Sequence, residues 1–521
     1  MWVSIDDGWC HGCWEQERLA LLQLKPIFNQ LNWLEGEETS DCCKWERVEC
    51  SPATGRVITL SLYGGRGLGL DLPVLYINAS LFLPFEELEK LYLWSNNIVG
   101  CIENEGPEMR FQILSSRLRN LELLGLSNNE FNNSILSSLH GLSSLRFLYL
   151  ENNQLKGTIH SHELDGLNNL EELDMSGNKI EGFRSLQGKP ILDKLKVLNL
   201  DYNQLKGTIH SHEFDGLNNL EELHMWGNKI EGFRSLQGKR SLNKLKVLDL
   251  SYNELKGTID SLEFDGLNNL EELYMSGNKI EGFRSLQGSQ QINTSIQMQS
   301  LGSIPNLRTL DLSYNYFNGT TTTQELGNLS ALEELWLDGS TLRTDFLQSI
   351  GSLTSLNVLS LESCGLKGIL PNEGWCELKN LQGLDLYSNE LEGTLPPCLG
   401  NLSSLRYMDI SSNQFNGNLA STPIPNLISL EFLNLRRNHI EVPMSLKPLA
   451  NLSNLTDFSA DNIVLDLDSQ FWTPRFQLKT LIFGSSLFNK SKPHLPNFLY
   501  YQNDLEGIYL SGCEFGGVFP N

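Results

Sequence analysis

Hydrophobic positions along this chain follow one short phrase, L-x-x-L-x-L-x-x-N-x-L, repeated many times. It reads cleanly at Leu145, Leu148, Leu150, Asn153 and Leu155. It returns from Leu170, Leu195, Leu220, Leu245 and Leu270 at a spacing of 25, then from Leu307, Leu332, Leu356, Leu381, Leu405 and Leu430. Weaker copies start at Val57, Leu88, Leu121, Leu455, Leu478 and Leu505, about 18 in all. The L-x-L centre alternates, which predicts a short strand with leucines inward and x positions outward. A fixed period of this size predicts a stack of supersecondary units, each pairing its strand in parallel with the next. The unbroken rhythm predicts one continuous stack without a separate domain.

The Asn at the ninth position, as in Asn203 and Asn253, turns the chain inward. Its amide can bond neighbouring backbone that a buried turn would leave unpaired. Cys364 and Cys513 fill the same slot and read as buried ladder residues, not nucleophiles. Irregular stretches break the rhythm near 64–87, 101–117 and 288–304. The last is rich in Ser and Gln and predicts a surface loop.

Many repeats continue after the Asn as LKGTI (205–209) or LEGTLP (391–396). This phrase resembles the plant-specific class of leucine-rich repeat. The resemblance implies an α/β solenoid wound as a right-handed superhelix. One long parallel sheet would line the concave face, with short second strands and 3₁₀ turns on the convex side.

Composition narrows the function. The formal net charge of −24 argues against nucleic acid, whose phosphates need clustered Lys and Arg, and against docking on anionic lipid. Five of the ten cysteines fall within the first 50 residues, as in a disulfide-capped end formed in an oxidising compartment. Sequons for glycosylation occur at Asn78, Asn132, Asn293, Asn318, Asn328, Asn401, Asn451, Asn454 and Asn489, though several share one repeated NLS phrase. HSH occurs at His160/His162 and His210/His212, but Asp260 and Leu262 stand in the third copy, so duplication explains the pairs better than metal does. No nucleophile elbow, phosphate loop, dinucleotide fingerprint or kinase signature is present. The reading is a binding scaffold without cofactor or metal, not an enzyme.

Residues 13–55 read as an N-terminal cap, following an unstructured or leader-derived 1–12 and preceding the repeats of 56–521. WEQERLALLQLK (14–25) predicts an amphipathic helix with Leu19, Leu22 and Trp14 toward the first repeat. Next comes CCKWERVEC (42–50), whose C-C-x-W-x-x-V-x-C spacing resembles the cap of plant leucine-rich-repeat receptors. The cysteine-led E-x-E-R-x-ALL stretch resembles receptor-like proteins in particular. That resemblance implies bridges Cys13–Cys42 and Cys43–Cys50. A third, Cys376–Cys398, would join neighbouring turns at similar heights, while Cys10 and Cys101 have no evident partner.

In that family the ectodomain binds a ligand at the outer face of the plasma membrane, and signalling runs through partner receptor kinases in defence or development. The resemblance therefore implies a peptide or protein ligand and a co-receptor kinase. The chain shows no apolar leader, no membrane helix and no C-terminal cap, and its last turn would expose core leucines. The expectation is a chain truncated at both ends, with no direct membrane contact from this segment. The alternatives are a soluble inhibitor of a microbial wall-degrading enzyme, whose usual members are shorter, and the ectodomain fragment of a receptor kinase.

Ligand contacts are expected at outward strand positions, the only ones free of core packing. Residues 170–219 and 220–269 match at 40 of 50 positions. Four of the ten differences fall on outward positions: Asp174 to His224, Ser176 to Trp226, Asn199 to Asp249 and Asp201 to Ser251. Tyr274 continues the first of these columns. The candidates are Tyr92, Trp94, Tyr149, Asp174, Asn199, Asp201, His224, Trp226, Asp249, Tyr274, Asp311, Trp336 and Asp385. Aromatics are typical anchors, and the aspartates suggest a basic peptide.

Overall fold

The structure, a computed structural model, describes residues 13–28, 41–64, 74–101, 114, 117–185, 192–235, 242–264, 266–284, 304–317, 329–342, 346–465, 472–485, 494–513 and 515. The chain forms two compact units, Met1–Glu254 and Leu255–Asn521.

In the first unit the strands Val57–Ser61, Lys90–Tyr92, Leu123–Gly125, Phe147–Tyr149, Glu172–Asp174, Val197–Asn199, Glu222–His224 and Val247–Asp249 pair in parallel, each with the strand of the next repeat. Equivalent slots face one another without slippage: Val197, Leu198 and Asn199 pair with Glu222, Leu223 and His224. A one-residue slip would turn every leucine out to solvent, so the apolar pattern holds the register. Leu173, Leu198, Leu223 and Leu248 are fully buried. Second strands lie beyond them, with Lys156–His160 parallel to Lys179–Arg184 and Lys206–His210 parallel to Lys229–Arg234. One-turn 3₁₀ helices follow at Ser161–Leu164 and Ser211–Phe214.

The second unit repeats the scheme from Glu272–Tyr274 through Thr309–Asp311, Glu334–Trp336 and onward to Gly507–Leu510, all in parallel pairs. Its second strands pair Lys256–Asp260 with Lys279–Arg284, and then run from Lys367–Ile369 through Glu390–Gly393, Gln414–Asn418 and His439–Pro443 to Ile463–Val464. The inward residues Ile508 and Leu510 of its last strand are half-buried.

The ladder asparagines close their turns through donated amide bonds, as Asn203 shows. Asn203 donates through Nδ2 to the carbonyls of Met175, Leu200 and Asp201 at 2.9, 3.1 and 3.1 Å, and its Oδ1 accepts from Ile180 N at 2.9 Å. Cys364 substitutes with a thiol, donating to the Leu337 carbonyl at 3.1 Å. It is fully buried, and burial pushes its pKa up. Cys513 is half-buried, with Sγ 2.8 Å from the Gly484 carbonyl.

In the cap, the helix Glu15–Leu24 presents Glu17, Ala20, Leu21 and Leu24 to the interior. This corrects the expected face: Leu19 is 47% and Trp14 51% exposed, and Leu22 is half-buried. The buried set keeps i, i+3, i+4, i+7 spacing, but includes a carboxylate. The reason is a backbone demand that no apolar residue meets: Val57 N, opening the first strand, donates to Glu17 Oε2 at 3.2 Å. Trp14 instead carries the Arg56 guanidinium 4.0 Å above its ring. Val48–Cys50 adds an antiparallel strand to Val57–Ser61, an element absent from the repeat pattern.

Disulfides join Cys13–Cys42, Cys43–Cys50 and Cys376–Cys398, with Cα separations of 5.5, 5.4 and 5.3 Å. The third links 3₁₀ turns of adjacent repeats, Trp375–Glu377 and Pro397–Asn401. Replacing both Cys376 and Cys398 with Ser should cost about 3 kcal/mol, the loop-closure value for a bridge of this span. Urea unfolding with and without reductant checks this; equal midpoints for wild type and double variant would reject it.

Part of the 64–87 stretch is regular, holding the strand Leu75–Ile77 and the 3₁₀ turn Ala79–Phe82. Residues 1–12, 102–113 and 285–303, with Cys10, Asn293, Asn318, Asn328 and Asn489, lie outside the described residues. Asn132, Asn401, Asn451 and Asn454 are exposed, and Asn78 is half-buried.

Candidate ligand-binding face

Outward side chains of successive strands line up in columns because the register never slips. In the first unit one column runs Tyr92, Gly125, Tyr149, Asp174, Asn199, His224, Asp249. The next slot carries Trp94, Ser176, Asp201, Trp226 and Ser251. Parallel neighbours crowd these side chains, so Tyr92, Tyr149 and Trp226 are half-buried, and only Trp94 of the first unit's candidate aromatics is exposed. Tyr149 shows the consequence, with a pKa raised to about 12 by burial and by Glu172 beside it.

Hydrogen bonds knit the columns. Asp174 Oδ1 accepts from Ser176 N at 2.8 Å, and Asp174 Oδ2 from Asn199 Nδ2 at 3.1 Å. Asp201 Oδ1 accepts from Trp226 N at 2.7 Å. Burial nevertheless raises the Asp201 pKa to about 6, aided by Asp249 and Asp174 and opposed by that bond and His224. His224 Nε2 lies 3.3 Å from Glu222 Oε2. Near the cap, Trp94 stacks on Tyr92 at 5.4 Å and meets Tyr63 at 5.7 Å, and Arg47 lies 4.3 Å over Tyr63.

In the second unit, Tyr274 donates to Glu272 Oε2 at 2.8 Å, and Trp336 is half-buried. Asp311, Asp385 and Asp409 end their strands, while Asp338 and Glu362 lie two residues beyond theirs. Burial raises the Asp385 pKa to about 6, with Asp409, Asp338 and Glu362 adding repulsion. Asp338 and Glu362 are raised as well, by burial first. A cleft of about 590 Å³ in this unit lies one slot before the strands. Its polar groups are committed to bridging repeats: Arg308 pairs with Glu333 at 3.1 Å, and Ser355 donates to the Ser330 carbonyl at 2.8 Å.

The structure also exposes aromatics that the strand pattern does not single out. The slot just before the ladder Asn adopts positive φ: 53° at Asn152, 65° at Gly177, 50° at Tyr202, 69° at Gly227 and 52° at Tyr252. Tyr202 and Tyr252 are 58% and 50% exposed. The signal was available as the phrases DYN (201–203) and SYN (251–253), since a bulky residue is costly at positive φ.

The His160/His162 and His210/His212 pairs stand at the ends of second strands, where the backbone N–H groups of His160 and His210 donate to Glu163 and Glu213 at 2.9 Å. Among the described residues no group of three or more His, Cys, Asp or Glu could hold a metal ion.

Comparison with known proteins finds leucine-rich-repeat families along the chain. The family described as a leucine-rich repeat region matches residues 282–502, and shorter leucine-rich-repeat families match 143–188, 189–230 and 237–280. The leucine-rich repeat N-terminal domain matches 15–51. Receptor-like protein 9a of Arabidopsis thaliana is 42% identical over 185 residues, covering 35% of this chain and 19% of that protein. The chain is built of leucine-rich repeats and is similar, over about a third of its length, to plant receptor-like proteins. Among other receptor-like relatives, Cuscuta receptor 1 of Solanum lycopersicum is 37% identical over 194 residues, 34% of this chain and 17% of that receptor. The matches thus span about a fifth of these relatives' length. A solved leucine-rich-repeat protein of Leptospira interrogans aligns with a TM-score of 0.52 and 24% identity, over 74% of this chain and 82% of its own, a likeness of fold. Among the described residues no helix is long and apolar enough to cross a membrane.

Proposed function

We propose that the chain is the extracellular recognition scaffold of a plant receptor-like protein. It takes a peptide or protein ligand on the outward strand face and signals through partner receptor kinases. The observation that carries this reading is the contrast within the near-identical copies. Inward Leu173 and Leu223 are the same residue and fully buried, whereas their outward neighbours change from Asp174 to His224 and from Ser176 to Trp226. Packing restricts the first set, and only binding or drift acts on the second. The receptor names of the relatives support the same assignment.

The test uses a full-length receptor carrying this repeat region. Tyr149→Ala, Asp174→Asn, Trp336→Ala and Asp385→Asn are introduced singly. Each is expected to leave secretion and folding intact, since none fills the core. At least two should lower sensitivity tenfold or more to a protease-sensitive peptide fraction that activates the wild-type receptor. Unchanged sensitivity in all four would refute the reading.

A further inference from the structure

We infer that Tyr202, Trp226 and Tyr252 form a seat for one cationic side chain, the arginine or lysine of a peptide. This deepens the receptor reading above and rests on it. Trp226 lies between the two tyrosines, 4.0 Å from Tyr202 at an interplanar angle of 77° and 5.2 Å from Tyr252 at 63°. Both tyrosines keep half or more of their surface open to solvent, so the three rings make an aromatic shelf with an exposed tyrosine on either side of the tryptophan.

Local preference does not account for these rings. The slot of the two tyrosines is left-handed, where a bulky side chain costs roughly 1 kcal/mol and where neighbouring repeats use Asn152, Gly177 and Gly227. Gly227 is the complement of Tyr202: a Cβ there would lie 3.1 Å from Tyr202 Cδ1. The alternation of Tyr and Gly therefore gives the Tyr202 ring a flat place to lie. Trp226 is peculiar to the middle copy, with Ser176 and Ser276 at the equivalent positions.

Charge selects the occupant. Asp201 accepts from Trp226 N with Oδ1, and Asp249 stands opposite His224 on the next strand. The nearby imidazole of His224 already faces Glu222. Among the described residues no arginine lies over Tyr202, Trp226 or Tyr252, whereas the same unit places Arg47 over Tyr63 and Arg56 over Trp14. Electron-rich ring faces beside carboxylates attract a guanidinium or ammonium, and an acidic chain draws such a ligand in. A neutral sugar would gain only from the rings and an anion would be repelled.

The probe is N-acetyl-triarginine amide, titrated calorimetrically into the whole chain at neutral pH, with triglutamate and cellotetraose in parallel. Triarginine should bind and triglutamate should not. Tyr202→Asn with Tyr252→Asn, which installs the residue already used at Asn152, should weaken triarginine at least tenfold without lowering the melting temperature. Trp226→Ser should act likewise, and Tyr76→Ala, at an exposed tyrosine of the strand Leu75–Ile77, should change affinity less than twofold. No triarginine binding to wild type, or equal affinity in the tyrosine double variant, overturns the seat. So does cellotetraose binding that is lost in the same variants while triarginine is unaffected. Failure here with a positive receptor test leaves the wider reading standing. Lost triarginine affinity with all four receptor variants unimpaired refutes the receptor role and keeps the seat.

Discussion

Asn203→Ala is expected to destabilise the first unit by about 3 to 5 kcal/mol. The substitution removes three donated bonds and one accepted bond. It leaves the Met175, Leu200 and Asp201 carbonyls and the Ile180 N–H short of a partner where water does not reach. Each such buried orphan costs roughly 1 to 3 kcal/mol, with partial relief as the turn relaxes. The neighbouring Tyr202→Asn supplies the contrast. It lies one residue away but outside the core, and an Asn is better suited to positive φ, so it should be neutral or slightly stabilising. Because a solenoid couples chiefly nearest neighbours, the Asn203 loss should appear first as faster amide exchange in the repeats on either side. Urea midpoints of the two variants within error of each other would remove the Asn ladder from the account of stability.

Glu17 makes cap stability depend on pH, in the direction opposite to most carboxylates. Its side chain is fully buried. Burial raises its pKa from 4.5 to about 7, against the opposing effects of the Val57 N–H bond and Arg56. Oε1 has no hydrogen-bond partner, which is the natural position for the proton. The folded cap therefore holds a proton that the unfolded chain releases. The stabilisation is fully present below about pH 4.5 and is lost as pH rises through about 7. The span corresponds to about 3 kcal/mol. Glu17→Gln keeps an acceptor for Val57 N without a charge, so it should stabilise the cap by that amount near pH 8 and make little difference near pH 4. Amide exchange in Val48–Ser61 as a function of pH measures this. Identical pH profiles for wild type and Gln variant would rule it out.

The linear pattern was enough to place the strands, their parallel order and their inward leucines, because a period-2 strand has only two faces and one must be dry. It was also enough to locate the ladder slot, where Asn and Cys364 share one demand: a donor for carbonyls at the turn. Family resemblance added the second strands and 3₁₀ turns. The cap helix was legible as a helix, yet its buried face was not. Leu19 lies outside and Glu17 inside because the first strand's Val57 N–H, 40 residues away in sequence, requires an acceptor.

The outward face divides the same way. The sequence alone tells which residues point away from the core, since alternation settles that one residue at a time. How open each remains depends on the neighbouring strand, whose identity at that height is a property of register. Tyr149 and Trp226 are crowded into half-burial by such neighbours, while Tyr202 and Tyr252, outside the strand pattern, are left standing in solvent. Whether Asp201 is an ordinary carboxylate or one raised to about 6 is likewise decided by what surrounds it. Period and polarity are local properties of a chain. Desolvation, ring stacking and the sharing of backbone donors belong to pairs of repeats, and only their packing determines them.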